Sequence, residues 1–375
     1  MHPEIEYYLI RLRHKIKKII NQKFDPYPKP PESVYLSPSE YHKTISETVP
    51  LQLNWNTGKY DDPIEWQGIV QNKLIELLKI PKERPKTQII ESQESIWRDR
   101  YNRVKCYLRS DVKRDVPVNI FWKGLLPHKP IIICLQGANF GAHLSWGEYL
   151  TPNDPRKISG GSTLALQAAD RGYVAVCVEQ SCFGERRELK LKKVLPNPTT
   201  DAANHALLLG RTLLGEMVSD VMSVVDWLIS DGSGLNVDTK EIFIMGYSLG
   251  GTVAITTGAV DKRISGVAVG GCISSFTSLF KRGIASTIIP DVLTYFDYDA
   301  IIGLLAPRYC LVLSGDKDHI FPYDGAEPIV KNAMPVFKSL NARNKIKLVK
   351  AIGPHKYYPD LMWNNFEELV QQYAA

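Results

Sequence analysis

The chain has 375 residues, 44% of them hydrophobic and 23% charged, a balance that excludes disordered and fibrous classes and allows a large buried core. The formal net charge of +6 sits largely in the N-terminal third, without interleaved aromatics or zinc-ligand spacing, so a solvated basic face is favoured over nucleic-acid binding. No stretch approaches the roughly 18 apolar residues of a membrane span, and Arg11 cuts the apolar cluster Tyr7–Ile10 before any signal-peptide core develops, so the cytosol is the expected compartment.

Residues 5–20 place Ile5, Leu9, Leu12, Ile16, Ile19 and Ile20 near helical spacing, with Arg11, Arg13, Lys15, Lys17 and Lys18 between them. Such a basic amphipathic helix suits membrane-surface contact or a cap laid on the main domain, and the cap is favoured. Asp25-Pro26-Tyr27-Pro28-Lys29-Pro30-Pro31 then stops the helix and forms a stiff connector. A further helix is predicted over 63–80, from Pro63 in its first turn to Ile80 before Pro81. Residues 87–122 read as strands, with Arg103–Leu108 and Val116–Trp122 rich in β-formers, suited to the antiparallel opening of a mixed sheet.

From residue 130 the pattern changes to short continuous apolar runs: Ile131–Leu135, Tyr173–Val178, Ile242–Met245, Ile264–Val269, Tyr309–Leu313 and the shorter Ile346–Val349. Runs of this kind suit strands buried on both faces of a parallel sheet. Helices are predicted between them at about 160–171, 212–230, 249–258, 324–342 and 360–373. The alternation implies an α/β fold with a mostly parallel, doubly wound sheet. The expected division is an N-terminal helical extension over 1–86 and a catalytic domain over 87–375, with 271–305 as a cap segment. Of the six cysteines, Cys134, Cys177 and Cys310 fall inside strand runs, where a thiol behaves as a small hydrophobe. The set of six contains no C-x-x-C pair, and reduced thiols are expected.

Strand and helix meet at Gly246-Tyr247-Ser248-Leu249-Gly250-Gly251, a G-x-S-x-G run in the strand–turn–helix setting of a nucleophile elbow. Ser248 is the candidate nucleophile. A serine hydroxyl needs a base, and in this arrangement an acid and then a histidine follow the serine in chain order. Asp318 is the candidate acid, with Asp316 its competitor, in the loop after Tyr309–Leu313. His355 is the candidate base, after the last strand run. The backbone N–H of Leu249 and that of Ala138 are the candidate oxyanion donors, with Asn139 as the alternative to Ala138.

These blocks together resemble the acetyl-xylan-esterase-like and dienelactone-hydrolase-like α/β-hydrolases over residues 131–366. The resemblance rests on Leu135–Asn139, Glu179–Arg187, Leu209–Glu216 with Asp220 to Leu228, the elbow, Gly315–Pro322 and Gly353–Tyr358. It implies an α/β-hydrolase fold and a carboxylester hydrolase acting on a small-molecule ester without metal or organic cofactor, and it supports Ser248, Asp318 and His355. Gln136 departs from the pattern, where histidine is commoner. Phe276, Phe280, Tyr295, Phe296 and Tyr298 suit either a pocket wall or core packing, and Arg186 and Arg187 suit either an anionic substrate group or ion pairs with Glu185 or Glu216. An acyl transferase or cyclase using the same triad, and a non-catalytic binding protein of the same fold, are the competing function classes.

Overall fold

The structure, a computed structural model, describes residues 12, 16, 31, 33–126, 129–138, 140–188, 198–230, 234–235, 237–281 and 284–371. The basic helix expected over 5–20 and the proline-rich connector therefore lie outside the described residues, save Leu12, Ile16 and Pro31.

Among the described residues, nine strands form one sheet: β1 (Gln88–Trp97), β2 (Tyr101–Asp111), β3 (Arg114–Trp122), β4 (Pro130–Leu135), β5 (Val174–Val178), β6 (Asp238–Tyr247), β7 (Ile264–Gly270), β8 (Tyr309–Gly315) and β9 (Ile346–Ala351). Their spatial order is β1-β2-β3-β5-β4-β6-β7-β8-β9. The first three run antiparallel, and β3 joins β5 antiparallel. From β5 to β9 every pairing is parallel. The strand order turns back between β5, β4 and β6, and in open α/β sheets such a reversal opens a crevice at the carboxyl ends of the strands.

The uninterrupted apolar runs reflect burial on both faces. In β4, Ile131, Ile133 and Leu135 join one core cluster, whereas Ile132 and Cys134 join another. The first cluster includes side chains from α2 (Pro63–Leu78), α4 (Leu213–Ile229), α5 (Leu249–Val260), α6 (Tyr298–Gly303) and α7 (Tyr323–Ser339). The second includes Ala165, Ala168 and Ala169 of α3 (Leu164–Asp170), and Trp363 and Phe366 of α8 (Pro359–Gln371). Helices thus cover the two faces of the sheet, which is the α/β-hydrolase arrangement expected from the alternation of runs.

α5 shows no polar stripe because every one of its residues is buried. The hydroxyls of Thr256 and Thr257 meet this burial by donating to the carbonyls of Thr252 and Val253, both at 2.7 Å. The helix predicted over 160–171 is corrected: a short helix ends at Ser159, and α3 begins only at Leu164. Gly161 at φ +91 separates them, a backbone state that a helix cannot contain. One further helix, α1 (Pro38–Thr48), buries none of its residues. Among the described residues no helix is long and apolar enough to cross a membrane.

Candidate active site

β6 delivers the chain to Ser248, and α5 starts at the next residue. Ser248 adopts φ 55 and ψ −124, a conformation that costs a non-glycine residue about 1–3 kcal/mol. The surrounding backbone holds it there. The Ser248 N–H donates to the Gly270 carbonyl at 2.8 Å, and the Ser248 carbonyl accepts from Thr252 N at 3.0 Å. The elbow closes only because its glycines lack side chains. A Cβ on Gly246 would overlap Gly250, reaching within 2.8 Å of Gly251 N, and one on Gly250 would stand 2.6 Å from the Gln136 carbonyl oxygen.

The structure brings Ser248, His355 and Asp318 together. His355 Nε2 lies 3.1 Å from Ser248 Oγ, and His355 Nδ1 lies 2.6 Å from Asp318 Oδ2. The other Asp318 oxygen accepts the N–H groups of Ile320 and Phe321, each at 2.8 Å. Burial pushes the Asp318 carboxyl up, but its interactions with His355 and with the Phe321 and Ile320 N–H groups outweigh burial and hold it below its ordinary value. An ionised Asp318 favours the imidazole tautomer protonated on Nδ1, in which Nε2 is the acceptor facing the serine hydroxyl. Tyr247 packs its ring against His355, with centroids 4.9 Å apart, and so limits the tilt of the imidazole.

Asp316 is placed differently. Its Oδ1 accepts the Gly353 N–H at 2.8 Å, and its own N–H donates to the Ala351 carbonyl at 2.9 Å. The competitor acid thus braces the backbone two residues before His355.

Leu249 is the first residue of α5, so its N–H belongs to a helix N-terminus facing the serine. Ala138 follows Gly137, whose absent Cβ would stand 3.3 Å from Ser248 Cβ and 3.3 Å from the Tyr247 carbonyl oxygen. The loop of Ala138 therefore passes against the elbow. Asn139, the alternative donor, lies outside the described residues.

Gln136 is buried and takes a structural part that the sequence alone did not reveal. Its Nε2 donates to Ser145 Oγ at 2.7 Å and to the Ser162 carbonyl at 2.8 Å, while its own carbonyl accepts from Gln180 Nε2. Glu179, also buried, accepts the Ala142 N–H at 2.9 Å and the Glu185 N–H at 3.3 Å. It ties the loop after β4 to the loop after β5. Burial raises its carboxyl to about 7 against the pull of those two N–H groups. Its position at the end of an apolar strand run was the available sequence signal.

The arginine expectations are corrected. Arg186 pairs with Asp220, Nη1 to Oδ2 at 2.7 Å, instead of with Glu185 or Glu216. Glu185 pairs with Lys105, and Glu216 with Arg114 and Arg211. Arg187 donates to the Gly184 carbonyl at 2.8 Å. Of the aromatics over 271–305, Phe276, Phe296 and Tyr298 are buried in the core, Phe276 and Tyr298 stacking at 4.4 Å, while Phe280 is exposed. None of the six cysteines forms a disulfide. No group of three or more His, Cys, Asp or Glu among the described residues is arranged to hold a metal ion.

A model of the abhydrolase family (Abhydrolase_7) matches residues 39–326. A Bacillus subtilis protein assigned as a hydrolase, YtaP, is 27% identical over 191 residues, which is 49% of this chain and 60% of that protein. The chain thus matches less than two thirds of that relative's length. Among solved structures, a Bacteroides fragilis protein assigned as an acetyl xylan esterase superposes with a TM-score of 0.68 at 17% identity, covering 86% of this chain and 84% of its own. A glucuronoyl esterase from Solibacter usitatus gives a TM-score of 0.60 at 14% identity, covering 87% and 98%. At these identities the two structures share the fold.

Proposed function

The chain belongs to the abhydrolase family, and from that premise and the geometry at Ser248 we propose that it is a serine hydrolase cleaving a carboxylic ester, of the acetyl or small-acyl type, through an acyl-enzyme. The observation that carries this reading is the continuous hydrogen-bonded path from Ser248 Oγ through His355 to Asp318, at 3.1 and 2.6 Å. A serine parked in a strained turn without a base would have no chemical use for the strain.

The roles follow from the distances. Ser248 Oγ attacks the ester carbonyl carbon as its proton passes to His355 Nε2. Asp318 keeps the imidazole in the required tautomer and stabilises the imidazolium. The carbonyl oxygen becomes an oxyanion, received by the N–H groups of Leu249 and Ala138, each such donor being worth about 2.7–4 kcal/mol of barrier. Collapse of the intermediate breaks the bond to the alcohol, which leaves with the proton from Nε2. Water then attacks the acyl group, gives its proton to Nε2, and the second collapse returns that proton to Ser248 and frees the acid. Relatives of this fold include proteins named for acetyl xylan and glucuronoyl esters, which supports a small or sugar-linked ester as the substrate class.

The test is covalent labelling by a fluorophosphonate, followed by turnover of 4-nitrophenyl acetate with and without the Ser248→Ala change. Labelling at Ser248, and loss of turnover in a variant that melts at the unchanged temperature, are expected. An intact protein that stays unlabelled, or near-normal turnover by the alanine variant, would sink the reading.

A further inference from the structure

Beyond the loop of Ala138, a lysine ammonium lies over an aromatic ring. Phe140 lies two residues past Ala138, and Lys157 Nζ stands 4.3 Å above its ring centroid. Lys157 is half-buried, and desolvation, followed by the charge of Arg156, lowers its pKa from the ordinary lysine value. No acidic side chain among the described residues makes an ion pair with it. An ammonium drawn partly out of water and given only an aromatic face retains unspent capacity for an anion.

The backbone of the same lysine is tied to the segments around the reaction centre. Ser162 Oγ and Ser162 N donate to the Lys157 carbonyl at 2.8 and 3.2 Å. The Ser162 carbonyl in turn accepts from Gln136 Nε2 at 2.8 Å. On the other side, Gly161 packs so tightly on Pro359 that a Cβ would stand 2.6 Å from its Cγ, and Pro359 lies four residues beyond His355. The segment of Lys157 is therefore clamped between the loop that carries Ala138 and the loop that carries His355. Gly137 touches Ser248, and the three residues from Gly137 to Phe140 span at most about 11 Å. The backbone of Lys157 is thus tied to both loops that flank Ser248, and its ammonium lies on the ring of Phe140, two residues past Ala138.

We propose that Lys157, held over Phe140, binds a free carboxylate that the substrate carries several atoms from its scissile ester. The inference rests on the ester-hydrolase reading and narrows its substrate class to esters that retain an acidic group. A carboxylate there would form a charge-assisted hydrogen bond with Nζ, and the partial burial would shield the pair from salt better than an exposed one. Gln136 gains a reason in the same arrangement, because its side-chain amide reaches the Ser162 carbonyl and Ser162 in turn holds the Lys157 backbone.

Two matched pairs of substrates test this and separate an acyl-side from an alcohol-side carboxylate. One pair is mono-4-nitrophenyl adipate and its methyl-capped diester. The other is an acetylated hydroxy acid and its amide. The readout is the ratio of kcat/KM for the anionic member over the neutral member of each pair. The expected result is a preference for the anionic member in at least one pair, falling at least tenfold in Lys157→Met and retained in Lys157→Arg, with both variants melting near the unchanged protein. A ratio unaltered by Lys157→Met in both pairs overturns the assignment of Lys157 while leaving the ester reading intact. Absence of any Ser248-dependent turnover of all four compounds overturns the ester reading, and this inference with it.

Discussion

Asp316 and Asp318 stand two residues apart and serve different partners: Asp318 Oδ2 meets His355 Nδ1 at 2.6 Å, whereas Asp316 Oδ1 meets the Gly353 N–H at 2.8 Å. The two positions should therefore respond differently to the same chemical change. Asp318→Asn removes the charge that fixes the imidazole tautomer and should lower kcat by about 10³–10⁴-fold. Asp316→Asn keeps an oxygen for Gly353 N–H and should leave kcat within a few-fold. Asp316→Ala leaves that N–H without its partner and should cost about 1–3 kcal/mol of stability. Steady-state kinetics with thermal melts distinguishes the two; a loss at Asp316→Asn as deep as at Asp318→Asn would move the acid to Asp316.

Glu179 should make stability depend on pH in the direction opposite to most carboxylates. Its folded value is raised from 4.5 to about 7, chiefly by burial. The folded state then binds more protons than the unfolded state between those values, so stability falls as pH rises from about 4.5 to 7 and levels off above. The span corresponds to a change on the order of 3 kcal/mol. Glu179→Gln keeps an acceptor for the Ala142 N–H and removes the titration, so urea midpoints measured from pH 5 to 8 should lose this slope. An unchanged slope in the glutamine variant would mean that Glu179 is not the group responsible.

Much of the site was legible in the sequence because the fold expresses it locally. The elbow needs glycines flanking the serine and a strand running into a helix, and all of that lies within Ile242 to Val260. His355 and Asp318 were legible because each follows an apolar run at a strand end. What could not be read depends on contacts between distant segments. Gln136 looked like a departure from a pattern, and only the fold brings it to Ser145 and Ser162. Lys157 lay inside no predicted element, since the short helix that bears it ends at Ser159 after only six residues. The exposed helix α1 escaped notice for another reason. It buries no residue, so its signal was the start sequence alone, Ser37 capping Glu40 N–H and Pro38 in the first turn.

Gly137 offers a steric test of the loop against the elbow. A Cβ there would meet Ser248 Cβ and the Tyr247 carbonyl oxygen at 3.3 Å each. These contacts are tight rather than impossible, so the chain should fold with a small displacement of one partner. Because catalysis is sensitive to sub-ångström placement of reacting groups, Gly137→Ala should reduce kcat/KM by about tenfold or more. The melting temperature should change little. A variant with full activity would show that the loop yields without disturbing Ser248.

The last prediction separates a structural arginine from a substrate-binding one. Asp220 is buried and accepts from Arg114 Nε and Nη2 at 2.7 and 2.8 Å, from Arg186 Nη1 at 2.7 Å and from Ser110 Oγ at 3.0 Å. Burial raises its carboxyl, but Arg186 and Arg114 together hold it below the ordinary value of 3.8. By linkage its contribution is complete above that ordinary value and is lost as pH falls through the lower folded value. Asp220→Ala would leave two guanidinium groups poorly exposed to water and without their shared anion, a change expected to cost about 3–5 kcal/mol. Urea unfolding at neutral pH measures it. Arg186→Met should destabilise less than Asp220→Ala, because Asp220 loses one of its two arginines and keeps Arg114 and Ser110, and should change kcat/KM for neutral and anionic esters by the same factor. A selective loss on anionic esters at unchanged stability would instead place Arg186 against the substrate and weaken the case for Lys157 as the anion-binding group.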